Sequence, residues 1–259
     1  MADLLSAKLA LEDDLAPRLY RLIGRYVRAR VQVRYLSPLA VQQAQAAFAE
    51  LLQRHYARVV MVVTGRGWPR SPDIKEAALS WWHYERLVER SRKSAEMLIR
   101  SIERVVLETE APQRKSLDFA EYKAGLAGEL WRKAKAVMAK IKGKLKGIVA
   151  AETNGVAEES RYEQAKQRAG NRKLSKRWST MLDDRVRPTH QAAEGQVRPA
   201  NTPFSVGASL MMVPGDITFG APIGERINCR CSAVYFAENA DGTLEDLSAT
   251  ERGYSYYRG

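Results

Sequence analysis

The sequence predicts an α+β protein: a helical N-terminal domain with a long helical hairpin, then a small, loop-rich α+β domain. Three observations carry this. Apolar residues make up 45% and charged residues 28% of the 259, the balance of a chain that buries a core rather than staying disordered. Between Asp73 and Lys142 the one proline is Pro112 and the glycines are Gly125 and Gly128, whereas Pro188–Gly224 holds five of each. Helices avoid both residues and turns use them. Through the first 150 residues, apolar side chains also recur at steps of three and four, the period of a helix with one buried face.

The elements follow in order. Asp13 and Asp14 ahead of Pro17 form a helix-start signal, with Leu19, Leu22, Ile23, Tyr26 and Val27 behind it at helical spacing. Ser37-Pro38 is a second start, serine as N-cap and proline at the first helical position. Val41, Ala44, Phe48, Leu51, His55, Val59 and Val62 continue it, and Gly65 and Gly67 end it. Ser71-Pro72-Asp73 repeats the signal. Ala77, Trp81, Tyr84, Val88, Ser91, Ala95, Leu98, Ile102 and Val105 then alternate steps of four and three, a heptad seam. The short Gly/Pro link between these two helices predicts an antiparallel hairpin. Pro112 closes it. Ser116 and Asp118 open a further helix with Phe119, Tyr122, Leu126, Leu130, Val137, Ile141, Leu145 and Ile148 on one face. Gly143, Gly147 and Asn154-Gly155 mark places where that helix bends or stops. At these positions Trp81 and Tyr84 read as core and Trp82 as exposed or interfacial. His55, on an apolar face with no second His or Cys near it in sequence, reads as a satisfied core histidine. The expected division is 1–150 helical, 151–237 a domain with a basic helical lead-in, and 238–259 a tail. That tail is poor in apolar residues, ends in Tyr254-Ser255-Tyr256-Tyr257, and is compatible with disorder or with docking on a partner.

Charge narrows the partners. Lys and Arg number 42 against 30 Asp and Glu, a net charge of +12. This favours polyanions (nucleic acid, an anionic membrane surface or an acidic protein) without choosing among them. No apolar run reaches the eighteen residues of a membrane-spanning segment. The start, MADLLSAKLALEDD, has early acids and no basic region before an apolar core, so it does not read as a secretory signal. Two cysteines exclude a disulfide-stapled scaffold and fit synthesis in a reducing cytosol. The positive charge is concentrated. Arg132, Lys133, Lys135, Lys140, Lys142, Lys144 and Lys146 fall within fifteen residues without an acid among them, opposite Val137, Ile141 and Leu145 on a helix. Such a stripe neutralises phosphates without reading base sequence, lies on an anionic membrane, or is a solvated face. Arg161, Lys166, Arg168, Arg172, Lys173, Lys176 and Arg177 form a second cluster open to the same readings.

The most specific signal lies in residues 178–231. It comprises Trp178, Asp183, Arg185, Arg187, His190 and Gly195, then Phe204 and Pro214, then Asn228, Cys229 and Cys231 in Ile227-Asn228-Cys229-Arg230-Cys231. In this order and spacing the segment resembles the phage Mu protein F-like family, the minor head or head-morphogenesis proteins of tailed phages. Ala151-Glu152-Thr153-Asn154 resembles the helical start of that domain, so the likeness covers about 150–235. Glu194-Gly195 departs from it, since the family more often has Asp-Gly. The resemblance implies a virion component inside the head near the portal vertex, in low copy number. It implies a role in head assembly and DNA packaging or delivery, with the portal protein, the major capsid protein and packaged double-stranded DNA as partners. The helical domain, with its long apolar seams and exposed aromatics, is the candidate for docking on the portal. Two rivals are a nucleic-acid-binding protein acting outside a virion and a toxin-like transferase. The second is disfavoured because the chain ends 28 residues after Cys231.

The residues of this segment carry their own physical readings. Asp183, Arg185 and Arg187 can form an ion-pair and hydrogen-bond network that fixes loops. Arg185, His190 and Glu194 are the alternative, an anion or acid–base site. No nucleophile with a matched base and no phosphate-cradling Gly loop is visible, so no enzyme and no catalytic residue is expected. Cys229 and Cys231, two apart in an extended chain, present both thiols to one face. They read as two reduced thiols packing as small hydrophobes, with no cofactor. The alternative is zinc held by Cys229, Cys231 and His190, with Asp183 or Asp216 as a fourth ligand, though that ligand set is incomplete. A disulfide between residues two apart is geometrically difficult.

Overall fold

The computed structural model describes residues 4–33, 35–69, 72–110 and 119–247, and the protein is α+β. Helix α1 spans Leu4–Gln32 and contains Pro17, so the expected start at Asp13-Asp14 is wrong. Proline lacks the amide that an interior helical position needs. Here Leu11 and Leu15 extend the buried stripe of Leu19, Ile23, Tyr26 and Val27 at the same spacing, and its burial carries the helix through. Helix α2, Pro38–Val63, starts where Ser37-Pro38 places it, with the Ser37 hydroxyl accepting from the Ala40 amide at 3.2 Å. Beyond it, Gly65 and Gly67 both take positive φ.

The third predicted helix is two. Helix α3 is only Ile74–Ala77, capped by the Asp73 carboxylate, which accepts from the Lys75 and Glu76 amides. Helix α4, Trp81–Glu110, begins afresh, with the Ser80 hydroxyl accepting from the His83 amide at 3.1 Å. This new cap resets the phase. Trp81, expected in the core, sits in the first turn and is 64% exposed; Tyr84 is half-buried, and His83 and Leu87 are buried instead. From Ser91 onward the seam runs as predicted through Ala95, Leu98, Ile102 and Val105. Trp82 is exposed, as expected. Helix α5 runs from Phe119 to Ala169 without a stop. The start signals Ser71, Ser116 and Asp118, and Pro112, lie outside the described residues.

The chain forms two compact units. One comprises Asp13–Gln53 and Val88–Lys146, the other Met1–Glu12, Arg54–Leu87 and Gly147–Gly259. The described part of the first is helical. Gln53 Nε2 donates to Ser91 Oγ at 3.1 Å, while Gln42, Gln45, Ala46 and Ala49 share a cleft with Arg92 and Glu96. There α2 descends as α4 ascends, the predicted antiparallel arrangement. Arg30 and the Tyr26 hydroxyl both donate to the Glu103 carboxylate, at 2.8 and 2.6 Å. Burial of Tyr26 and its carboxylate neighbour push the phenol far above its usual range.

The second unit holds the sheet region: β1 (Leu174–Ser179), α6 (Pro188–Gln191), β2 (Val197–Pro199), β3 (Phe204–Val206), β4 (Ser209–Met211), α7 (Ile223–Arg226), β5 (Ser232–Glu238) and β6 (Leu244–Asp246). Four strands form an antiparallel sheet in the order β2-β1-β5-β6, and β3 and β4 form a hairpin. In the central pair, Trp178 lies opposite Ala233 and Lys176 opposite Tyr235. Strand β6 falls in the segment expected to be tail. It pairs Asp246 with Phe236, and Leu247 behind it is buried. Tyr254-Ser255-Tyr256-Tyr257 lie outside the described residues. The core gathers Trp178, Phe204, Val206, Met211, Val213 and Tyr235 around the two cysteines, with Tyr162 of α5. Two of the α5 glycines, Gly147 and Gly155, are points of contact rather than bends. A Cβ on Gly147 would meet the Ile227 side chain at 3.0 Å, and one on Gly215 would meet Gly155 Cα at 3.1 Å.

Candidate functional site

Strand β1 delivers the first residue of the site. Trp178 is fully buried, and its ring stands edge-on to Phe204 and to His190, at 5.3 and 5.6 Å between centroids. Gly195, at φ +73°, closes the loop back onto the strand: its amide donates to Trp178 O, and the Trp178 amide donates to Gln196 O. Glu194 accepts from the Thr180 amide at 2.5 Å and so caps the end of β1. On α6, Arg187 and Pro188 set the helix start, and His190 points inward at 1% exposure.

His190 uses both ring nitrogens. Nε2 lies 3.0 Å from Glu225 Oε2. Nδ1 lies 3.3 Å from Cys231 Sγ and 3.6 Å from Cys229 Sγ. The three donor atoms all fall within 4.8 Å of one another, and all three residues are buried. Both sulfurs thus lie on the side of His190 Nδ1. Both cysteines are free thiols. The backbone that presents them is tied on several sides. Asn228 takes the left-handed conformation at φ +55°, which Asn tolerates better than most residues. The Cys229 amide donates to Arg226 O, Asn154 Nδ2 of α5 donates to Cys229 O at 2.5 Å, and Arg187 donates to Ile227 O.

The expected fourth ligands stand elsewhere. Asp183 receives both ends of the Arg230 guanidinium, at 2.7 and 2.5 Å. Asp216 is buried and accepts from the Met212 and Thr218 amides at 2.8 Å each and from Arg86 at 3.1 Å. The Asp183 network also differs from expectation. Arg230, the residue between the cysteines, is its main partner; Arg185 contributes its amide and a long 3.6 Å contact; Arg187 serves the Ile227 carbonyl instead. Glu225 and Arg230 were missed because their partners lie 35 and 47 residues away in sequence, beyond any local spacing rule.

Electrostatics follow from this crowding. The Cys231 sulfur, then the His190 ring, stabilise the Cys229 thiolate against burial and hold that thiol well below its usual range. Sharing with Cys229, then burial, push the Cys231 thiol up, and the Trp178 N–H works against both. Burial pulls His190 down, but Cys229 and then Glu225 more than compensate, leaving it above the ordinary imidazole value. Arg230, hydrogen-bonded to Asp183, keeps that carboxyl below the usual carboxylate range.

The two basic clusters fare differently. Arg132, Lys135, Lys140, Lys142, Lys144 and Lys146 are exposed and Lys133 is half-buried, while Val137, Ile141 and Leu145 face inward. In the second cluster Lys166, Arg168, Lys173 and Arg177 are exposed, whereas other members are drawn inward. Lys176 is fully buried, donates to Met212 O at 2.7 Å, and is pushed down to about 8 by burial. Arg161 pairs with Glu158, Lys166 with Glu163 and Arg172 with Glu245. His55 is buried as expected, its Nε2 2.9 Å from the Thr153 hydroxyl. Among the described residues no helix is long and apolar enough to cross a membrane.

No curated protein and no solved structure matches the chain. Residues 122–234 do match the family model described as Phage Mu protein F like protein. The match takes in most of α5 and the sheet region as far as the first residues of β5, with Asp183, His190, Glu225, Cys229, Arg230 and Cys231 inside it, so this stretch of the chain is similar to that family.

Proposed function

We propose that the protein is a minor head protein of a tailed bacteriophage, placed inside the head near the portal vertex. It acts in head assembly and in DNA packaging or delivery, as a structural component and not an enzyme. The observation that carries this reading is the family match over 122–234, which takes in the whole Trp178-to-Cys231 motif. The portal protein and major capsid protein are its proposed protein partners, and packaged double-stranded DNA its polyanionic one. The exposed arc from Arg132 to Lys146 supports contact with DNA backbone phosphates. Purified procapsids and mature virions, analysed by mass spectrometry, should contain the protein, and cross-linking should recover it with portal. Its absence from both particles would overturn the proposal. The same basic arc supports a second reading, a sequence-independent nucleic-acid-binding protein outside the virion. That reading predicts the protein on host or phage DNA in infected cells and missing from particles.

A further inference from the structure

We propose that His190, Cys229 and Cys231 bind one zinc ion, which ties α6 to the start of β5. The distances carry the argument. Zinc takes thiolate sulfur at about 2.3 Å and imidazole nitrogen at about 2.1 Å in tetrahedral geometry, so the nitrogen-to-sulfur edges of such a site are about 3.6 Å long. The two observed edges are 3.3 and 3.6 Å. The convergence sets two sulfurs and one ring nitrogen around a shared centre, with a carboxylate on the far ring nitrogen, the arrangement a soft cation takes.

The surroundings are those of a metal site. Glu225 on the far ring nitrogen completes a carboxylate–histidine–metal arrangement, which fixes the ring and raises its basicity. Edge-on Trp178 packs against the same ring. Asn154, Arg187 and the left-handed Asn228 hold the backbone that carries the thiols, so the ligands are positioned before any ion arrives. Two thiolates and a neutral imidazole cancel the ion's charge, which leaves no net charge buried among Trp178, Phe204 and Ala233. The sulfur and nitrogen donor set selects zinc over magnesium or calcium, which take oxygen. Among the described residues no fourth His, Cys, Asp or Glu joins the group. A narrow cleft bordered by Met181, Val186 and Asn228 reaches the three donors, and a water drawn in along it would complete the four-coordinate set.

The test uses the full chain, expressed in zinc-supplemented medium and purified under reducing conditions without chelator. Metal analysis should give about one zinc per chain, because such sites hold their ion through purification. Replacing zinc with cobalt(II) should produce the thiolate-to-cobalt charge-transfer absorption of a two-sulfur site. Cys229→Ser and Cys231→Ser should each abolish stoichiometric zinc. Glu225→Gln should keep zinc but weaken it about 10–100-fold in chelator competition, as loss of an outer-shell partner does. Wild-type protein with less than about a tenth of an equivalent of zinc, far below a filled structural site, and no cobalt absorption would overturn the proposal without reference to any variant. So would a folded Cys229→Ser/Cys231→Ser double variant that retains full zinc, since the ion would then sit elsewhere.

Discussion

His55 and His83 are buried as neutral rings, and this makes stability depend on acid. Burial, then Arg58, pushes His55 down to about 3, and burial pushes His83 down to about 4. In the unfolded chain both titrate near 6.5. Between those values the unfolded state binds more protons than the folded one, so stability is fully present above about pH 6.5 and falls as pH drops toward 4. Each ring contributes a slope of about 1.4 kcal/mol per pH unit in that window. Urea unfolding of His55→Gln between pH 7 and 4 should therefore show about half the histidine-dependent slope of wild type. Parallel curves would mean that His55 is not held neutral. Residues of this kind were partly legible. The core placement of His55 followed from its apolar face, and the two-residue spacing of the cysteines put both thiols on one face, while their approach to His190, about 40 residues away, needed the fold. Glu225 and Arg230 were not legible, because what defines them is a partner on another element.

At the scale of elements, a helix start was legible where one residue carried it and illegible where burial outweighed it. Ser37-Pro38 fixed the start of α2 through a cap bond that needs only local geometry. Ser80, equally local, was overlooked because the apolar steps ran on across it, and its cap displaced Trp81 from the predicted core to the surface. Pro17 errs the other way: the buried stripe on both sides of it overrides the break that a proline favours. The glycines of α5 give an element-level test. Gly143 has nothing within 4 Å of its would-be Cβ, so Gly143→Ala should stabilise by up to about 1 kcal/mol, the usual helical gain. Gly147→Ala gains the same propensity, but its Cβ meets Ile227 at 3.0 Å and Asn228 Oδ1 at 3.3 Å. Overpacking costs about 1–3 kcal/mol, so Gly147→Ala should leave the protein less stable than Gly143→Ala and at or below wild type. Ile227→Val in the Gly147→Ala background should recover part of the loss. A Gly147→Ala variant as stable as Gly143→Ala would show that Ile227 moves aside freely.

At the scale of the whole molecule, the question is where a net charge of +12 is spent. Much of the positive charge from Arg161 to Arg177 is taken up internally, by Glu158, Glu163 and Glu245 and by the burial of Lys176. This absorption was not legible in sequence, because the acids that do it are presented by folding and not by spacing. The arc from Arg132 to Lys146 keeps its charge at the surface, with no acid in the same stretch. Contact with duplex phosphates would release condensed counterions, so binding should be indifferent to base sequence and should weaken steeply with salt. Lys140, Lys142, Lys144 and Lys146 are all exposed, and changing the four to Gln removes charge without removing core. If all four touch duplex phosphates, the log–log salt slope should fall in magnitude by about three to four units. Thermal stability should hold, since exposed substitutions shift stability by less than about half a kcal/mol each. An unchanged slope in the folded variant would assign the arc to solvent or to a protein surface. In the proposed setting an acidic portal surface would be the competing polyanion. The same four-lysine variant titrated separately against DNA and against portal therefore decides which of them the arc meets: binding lost to portal but unchanged to DNA would assign the arc to portal docking and overturn the DNA contact.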